Sequence, residues 1–365
     1  MLLDASDCSL APCSGSVLEQ LSDELSAHSS PETHASVIEL MTGIHADVAG
    51  AVGELSALRA QLTSELQKMG LVAASAGTYP LAVAGETQVS DAGRYRVVAE
   101  SMRSLAQREP TLALHVHIGI PHPEDAIRVL NGLRDAVPLL LALAANSPFS
   151  QGRDSGFASA RTVIFQGFPR TGTARHFSCY ADYVDAVDAL VASGAIPNPS
   201  FLWWDVRLQP ALGTVEVRVM DAQCTIAESA ALVALVKALA RLELERERDE
   251  DPIAPEVLAE NRFLAARDGL DSHLIDPVRR RLVPTRALIG SLLARCRARA
   301  DAAGQIELDG VDRLVLANGA ARQRRWARKY GLAALPSTLT QRYATSTSGL
   351  RQNSPPVLAY EGALR

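Results

Sequence analysis

Two histidines stand two positions apart in Leu114-His115-Val116-His117-Ile118-Gly119. On a strand, side chains alternate faces, so His115, His117 and Gly119 share one face and Leu114, Val116 and Ile118 the other. Two imidazoles on one face of an apolar strand require polar partners, a metal or a phosphate. A pair of half-buried, hydrogen-bonded histidines meets the same requirement. In Thr214-Val215-Glu216-Val217-Arg218-Val219, Glu216 and Arg218 face one way and three valines pack behind them. A carboxylate and a guanidinium on such a strand are costly to bury unless they serve each other or a ligand. A solvated sheet face with a weak ion pair is the competing reading. Trp203-Trp204-Asp205-Val206-Arg207 repeats the device with Asp205 and Arg207. If the two strands pair, two carboxylates and two guanidiniums converge on one surface. That set suits a metal-bound polyphosphate and an anionic co-substrate: carboxylates hold Mg²⁺, arginines hold phosphate or carboxylate.

A third group runs from Ala145-Asn146-Ser147-Pro148-Phe149 through Gly152, Asp154, Ser159 and Arg161. Glycine and polar residues directly after an apolar helix form the kind of loop that carries binding residues. There is no Walker-type loop, no Gly-x-Gly-x-x-Gly fingerprint and no Gly-x-Ser-x-Gly elbow. A P-loop or Rossmann nucleotide site and a serine hydrolase are therefore unsupported.

The elements that must position these residues follow from periodicity. Helices are expected over 15–30 and 46–70, the second with Val48, Val52, Leu55, Leu58, Leu62 and Leu66 as its stripe. Further helices are expected over 94–107 and 124–143. Strands are expected over 35–42, 71–76, 111–120, 203–208 and 214–220, the last two joined by a hairpin loop at 209–213. From Ile226 onward the pattern is helical, and the Ser-, Thr- and Pro-rich tail 336–365 reads as loose beyond a single domain 1–335. Mixed strands and helices followed by a helical C-terminal third indicate an α+β fold.

Composition narrows the partners. With 36 basic against 41 acidic residues, the chain lacks the basic surplus of a nucleic-acid binder. The apolar run 137–145 is too short to span a bilayer, and the N-terminus shows no signal peptide. Five cysteines without zinc-type spacing suggest free thiols in a reducing, cytoplasmic setting.

The chain resembles the type 2 glutamate–cysteine ligase family, also called the carboxylate–amine ligases. The resemblance is carried by the three groups above, together with Val37-Ile38-Glu39-Leu40-Met41-Thr42-Gly43, Ser75-Ala76-Gly77-Thr78, Gly152-Arg153-Asp154 and Gly319-Ala320-Ala321-Arg322-Gln323-Arg324. These segments occur in family order over about residues 2–330. The resemblance implies a glutamine-synthetase-like fold, a curved antiparallel sheet with helices packed on one face. It implies ATP and Mg²⁺ and amide formation through an acyl phosphate, joining L-glutamate or a similar carboxylate to L-cysteine or another amine. A homodimer is compatible with it.

Carried over by position, Glu39 and Glu216 are expected as metal ligands, with His115 or His117 as a metal or phosphate contact. Arg161 and Arg218 are expected as catalytic anion contacts. Asn146, Trp203, Asp205 and Arg207 are expected to shape the ATP site. Two departures stand out. Family members open with a strand reading Gly-x-Glu-x-Glu-Phe ahead of the segment matching Leu2-Leu3-Asp4, so missing metal ligands and poor turnover are expected of a chain starting at Met1. Tyr79 stands where the family has histidine. The alternative reading is a non-catalytic relative that binds an amino acid or nucleotide. A His-x-His metal hydrolase needs a third histidine, and His34, His45, His122, His176 and His273 lie in no supporting motif.

Overall fold

The computed structural model describes residues 1–344 apart from 84, 86, 92 and 247–251. The first elements are β1 (Leu2–Asp4), α1 (Ser14–Gln20), α2 (Asp23–Ala27), β2 (Ser29–Pro31), β3 (Ile38–Leu40), α3 (Val48–Lys68), β4 (Leu71–Ala73) and α4 (Gly93–Met102). The helix expected over 15–30 is two. Leu21 is extended, with ψ at 150°, and Ser22 restarts the helix with its N–H and hydroxyl held by Glu65 of α3 (3.0 and 2.7 Å). α3 follows its stripe: Leu58, Leu62 and Leu66 are buried, and Asp47 caps the helix by accepting from the Gly50 N–H.

The middle of the chain forms β5 (Val116–Gly119), α5 (Pro123–Ala144), β6 (Phe149–Ser150), β7 (Arg153–Asp154), α6 (Ala160–Phe165), β8 (Thr171–Gly172), α7 (Tyr180–Ala192), β9 (Trp203–Trp204), β10 (Val206–Gln209) and β11 (Thr214–Val217). The strand expected over 111–120 pairs as a ladder only from Val116; Thr111 and Ala113 make single bridges to Thr78 and Asp221. The strand expected over 203–208 breaks at Asp205. β9 pairs parallel with β8, while β10 pairs antiparallel with β11. The hairpin loop 210–213 is a short 3₁₀ turn closed by Gly213 at φ 63°, a left-handed position that favours glycine.

The last third is helical, as expected: α8 (Ile226–Leu244), α9 (Pro255–Asp268), β12 (His273–Asp276), β13 (Arg281–Pro284), α10 (Thr285–Arg297), α11 (Ala302–Leu316), α12 (Gly319–Tyr330) and α13 (Leu335–Tyr343). The β12–β13 hairpin was not expected; Asp276 closes its turn by accepting from the Val278 and Arg279 N–H groups (3.0 and 2.9 Å). The loose tail expected from residue 336 is corrected as far as Tyr343. α13 buries Leu335, Leu339 and Tyr343, and Arg59 stacks over the Tyr343 ring at 4.7 Å. The rest of that tail, 345–365, lies outside the described residues. All five cysteines are unpaired.

The fold is α+β. Its central sheet has the order β10-β11-β5, all antiparallel, and the other strands form two-stranded pairs among the described residues. Val206 and Leu208, Val215 and Val217, and Val116 join the main core with the apolar residues of α5 and α8. The opposite face carries two polar rows. Arg207 stands opposite Glu216, and Glu216 opposite His117; Gln209 stands opposite Thr214, and Thr214 opposite Gly119. Helices behind the valines and a polar face in front fix where chemistry can occur.

Candidate active site

Glu216 is the hub of the polar face. Arg207 Nε donates to its Oε2 at 2.6 Å and Gln209 Nε2 to the same oxygen at 2.8 Å. Arg218, two positions along and just past the end of β11, donates to Oε1. His115 Nδ1 and His117 Nε2 lie 3.8 and 3.7 Å from that oxygen. Glu39 arrives from β3, its Oε1 at 3.4 Å from His115 Nδ1 and its Oε2 accepting from Ser30 (3.3 Å). Glu39, His115, His117, Arg207, Glu216 and Arg218 therefore meet on one face. His117 Nδ1 also bonds the Thr214 hydroxyl diagonally across the ladder at 2.9 Å.

The electrostatics follow from this packing. Burial opposes the Glu216 charge, but Arg218, His115 and Arg207 outweigh it and hold the carboxyl well below the usual carboxylate range. Burial and the Arg218 charge push His115 down to about 4. Burial lowers His117 as well. Burial also opposes ionisation of Glu39, yet the His115 hydrogen bond and the Arg218 charge leave its pKa lowered. At neutral pH the site thus holds two carboxylates, two guanidiniums and two neutral imidazoles. The Arg218 Nε is buried without a hydrogen-bond partner among the described residues. A buried donor left unmade is costly, and the Arg161 Nε behind the sheet is in the same state among the described residues.

The donor set does not form a cage for a divalent cation. Among the described residues no group of three or more His, Cys, Asp or Glu side chains is arranged to hold a metal. Glu216, expected as a metal ligand with Glu39, His115 and His117, instead has both oxygens engaged by arginines and Gln209. Of the two carboxylates, Glu39 keeps more free acceptor capacity.

Four other expected site residues have structural roles. Asp205 lies at the break between β9 and β10 and turns to α9. Arg262 grips it through Nε (2.6 Å) and Nη2 (3.1 Å), and Thr173 adds a third bond at 3.0 Å. Asn146 is fully buried; it donates to the Ala222 carbonyl (2.7 Å) and accepts from Gln323 (2.8 Å). Trp203 packs in the core beneath Arg170, 5.1 Å from the ring centre. Arg161 is buried behind the sheet and donates to the carbonyls of Arg218 and Val219, both at 3.0 Å. Its guanidinium therefore positions the backbone that carries Arg218 and lies 3.7 Å from the buried Asp221 carboxylate. Each of these side chains finds its partners in elements far away in the sequence.

The knot behind the site also explains two motif glycines. Asp221 accepts from the Asn146 N–H (2.7 Å), Ser147 (2.6 Å) and Ser159 (2.8 Å). A Cβ on Gly77 would sit 2.7 Å from the Asp221 carboxyl carbon, and one on Gly319 only 2.0 Å from Asn146 Oδ1. Both glycines are close-approach positions.

Comparison with known proteins decides the lineage. The profile of Glutamate-cysteine ligase family 2 matches residues 10–343. The chain belongs to this family. It is 39% identical over 329 residues to "Putative glutamate–cysteine ligase 2-1" of Rubrobacter xylanophilus, covering 89% of this chain and 87% of that protein. It is 38% identical over 289 residues to the Sorangium cellulosum protein named "Putative glutamate–cysteine ligase 2", covering 78% and 77%. Among solved structures, the glutamate–cysteine ligase of Francisella tularensis in complex with AMP superposes with a TM-score of 0.66 at 14% identity, covering 95% of this chain and 88% of that one. A bifunctional glutathione synthetase from Pasteurella multocida gives 0.68 at 12% identity, covering 94% of this chain and 50% of that one. At that identity the likeness shows the fold.

Within the glutamate–cysteine ligase family 2 frame, sequence reasoning missed Gln209, Thr214, Asp221 and Arg262. Gln209 and Thr214 share a strand face with Arg207 and Glu216, so the alternation rule already contained them. Arg262 and Asp221 carried no local signal. No helix among the described residues is long and apolar enough to cross a membrane.

Proposed function

We propose that this chain is an ATP-dependent carboxylate–amine ligase that works through an acyl phosphate. The observation that carries the reading is the pair of guanidiniums, Arg207 and Arg218, held by the buried Glu216, with the Arg218 Nε still lacking an acceptor. In the proposed reaction a carboxylate oxygen of L-glutamate, or a similar acid, attacks the γ-phosphorus of ATP and ADP leaves. The amine of L-cysteine, or another acceptor, then attacks the acyl carbon. The C–O bond to phosphate breaks, inorganic phosphate departs and the amine loses a proton. Such transfers rely on positioning and positive charge rather than on a covalent nucleophile.

Each side chain has a place in that scheme. Arg218 offers planar donors to phosphate or carboxylate, and Glu216 fixes its orientation. Arg207 spends one nitrogen on the Ser200 and Leu202 carbonyls (2.9 and 2.6 Å) and holds Glu216 in turn. The histidines, kept neutral, add no positive charge and can accept a proton; His117 is the more exposed and suits the amine's proton. If Mg²⁺ accompanies ATP, Glu39 is the carboxylate with acceptor capacity to hold it, and the ion would neutralise phosphate charge. The cytoplasm, which supplies ATP and free amino acids, is the setting this activity requires.

The test is ADP release by the full chain across a panel of carboxylates and amines. Release that needs both co-substrates supports the ligase. Saturable binding of glutamate or nucleotide with no ADP release under any pairing overturns it and favours the non-catalytic relative.

A further inference from the structure

The motif segments Gly152-Arg153-Asp154 and Arg322-Gln323-Arg324 take no part in the Glu216 cluster, yet they meet. Arg324 of α12 donates through Nε and Nη2 to the two oxygens of Asp154 on β7, at 2.9 and 2.8 Å, and also to the Phe157 carbonyl at 3.0 Å. On its inner side α12 presents Gln323 to the Asn146 loop. On its outer side it walls a cleft against the end of α9. One part of the cleft, about 240 Å³, is floored by Ala158, Leu270 and the first turn of α12. It shares Asp268, Asp271 and Arg324 with an adjoining hollow of about 680 Å³.

The charges of the cleft do not cancel. Three carboxylates, Asp154, Asp268 and Asp271, each have their own guanidinium: Arg324, then Arg267 at 2.7 Å, then Arg286 at 3.0 Å. Arg325 and Arg328 have no carboxylate of their own, although the Arg328 charge also reaches Asp154. Both are exposed, line the 240 Å³ cleft and form no hydrogen bond or ion pair among the described residues. They stand three apart on α12, so they lie on neighbouring positions of one helix face. A concave site lined by an excess of one sign focuses the potential within it. Three surface ion pairs line it, and the two spare guanidiniums stand beside them on one helix face. None of the lining residues belongs to the Glu216 cluster.

We propose that the α9–α12 cleft is a second ligand site, for a compact multivalent oxyanion of phosphate or tricarboxylate type, held by Arg325 and Arg328. The cleft volume admits a small anion, and an arginine pair matches its oxygens bidentately. The site is independent of the proposed ligase activity.

The experiment titrates the full chain calorimetrically with inorganic phosphate and, separately, with citrate, at ionic strength matched with chloride. One saturable site is expected for at least one of the two anions, phosphate alone marking a phosphate-type ligand and citrate alone a carboxylate-type ligand. The double variant R325A/R328A is expected to bind about 10-fold weaker or worse with an unchanged melting temperature in the absence of anion, since both side chains are exposed. No saturable binding of either anion up to about 10 mM, equal binding by the double variant, or a loss confined to Arg218→Lys would each overturn the assignment; the last would place the anion at the Glu216 cluster.

Discussion

Arg207 Nε donates to Glu216 Oε2 at 2.6 Å from the position directly opposite it in the β10–β11 ladder. Both side chains are buried, so each is the other's counter-charge, and Glu216 orients Arg218 as well. Glu216→Gln keeps the shape and removes the charge that organises two guanidiniums. The expected outcome is a loss of at least about 10²-fold in ADP-release rate. A stability loss of about 3–5 kcal/mol is expected alongside, from the uncompensated arginines. Urea unfolding and steady-state kinetics on the variant check both; parental values in both would reduce Glu216 to a sheet-face residue.

Arg218→Lys keeps the charge but loses the planar fork. With the Nε awaiting an acceptor, the change is expected to lower kcat/KM by roughly 10–100-fold, mainly through KM for ATP or the carboxylate substrate. Initial-rate kinetics with each substrate varied in turn show which one. Unchanged constants for both would move the anion site away from Arg218.

What could be read from the sequence was the strand face. The period-2 alternation puts His115 with His117, and Glu216 with Arg218, on one face of each strand, but the pairing of the two strands that joins them was not legible. Glu39 joined them through family resemblance alone, since nothing local in 37–43 says that β3 ends beside His115. The failures arose where partners are distant. Asp205 reads like Arg207 along the strand, but Arg262, 57 positions on, turns it away. Arg161 and Asn146 lie in a loop that reads as ligand-binding, but Asp221 and Gln323 claim the loop for packing. Neighbouring arginines and Gln209 occupy the Glu216 carboxylate in a way that the strand pattern alone does not foretell.

The Asp205–Arg262 pair is a structural clamp, and its test is a double substitution. Arg262→Met leaves a buried carboxylate without its counter-charge and is expected to cost about 3–5 kcal/mol. Adding Asp205→Leu removes the stranded charge and should recover much of that loss. Chemical denaturation of both variants checks the order. A double variant less stable than the single one would contradict the clamp.

Stability should depend on pH through His115. Its folded pKa is about 4, below the ordinary 6.5, so between these values the unfolded chain binds the extra proton. The contribution is therefore fully present above about pH 6.5 and is lost as pH falls towards 4; Glu39, also lowered, acts in the same direction at the acid end. The loss is expected to be on the order of 1–3 kcal/mol. His115→Gln should flatten the profile between pH 6.5 and 4. Melting curves across that range decide it, and an identical slope in parent and variant would remove His115 from the account.

In the proposed reaction a carboxylate is phosphorylated before the amine attacks. The most direct measurement incubates the full chain with Mg²⁺, ATP, an amine and glutamate labelled with ¹⁸O in its carboxylates, and analyses the released phosphate by mass. If an acyl phosphate forms, the oxygen bridging carbon and phosphorus leaves with the phosphate, so each phosphate released carries one ¹⁸O. Phosphate released without label, or ADP formed at the same rate when glutamate is omitted, would mean that water attacks ATP directly and would contradict the account.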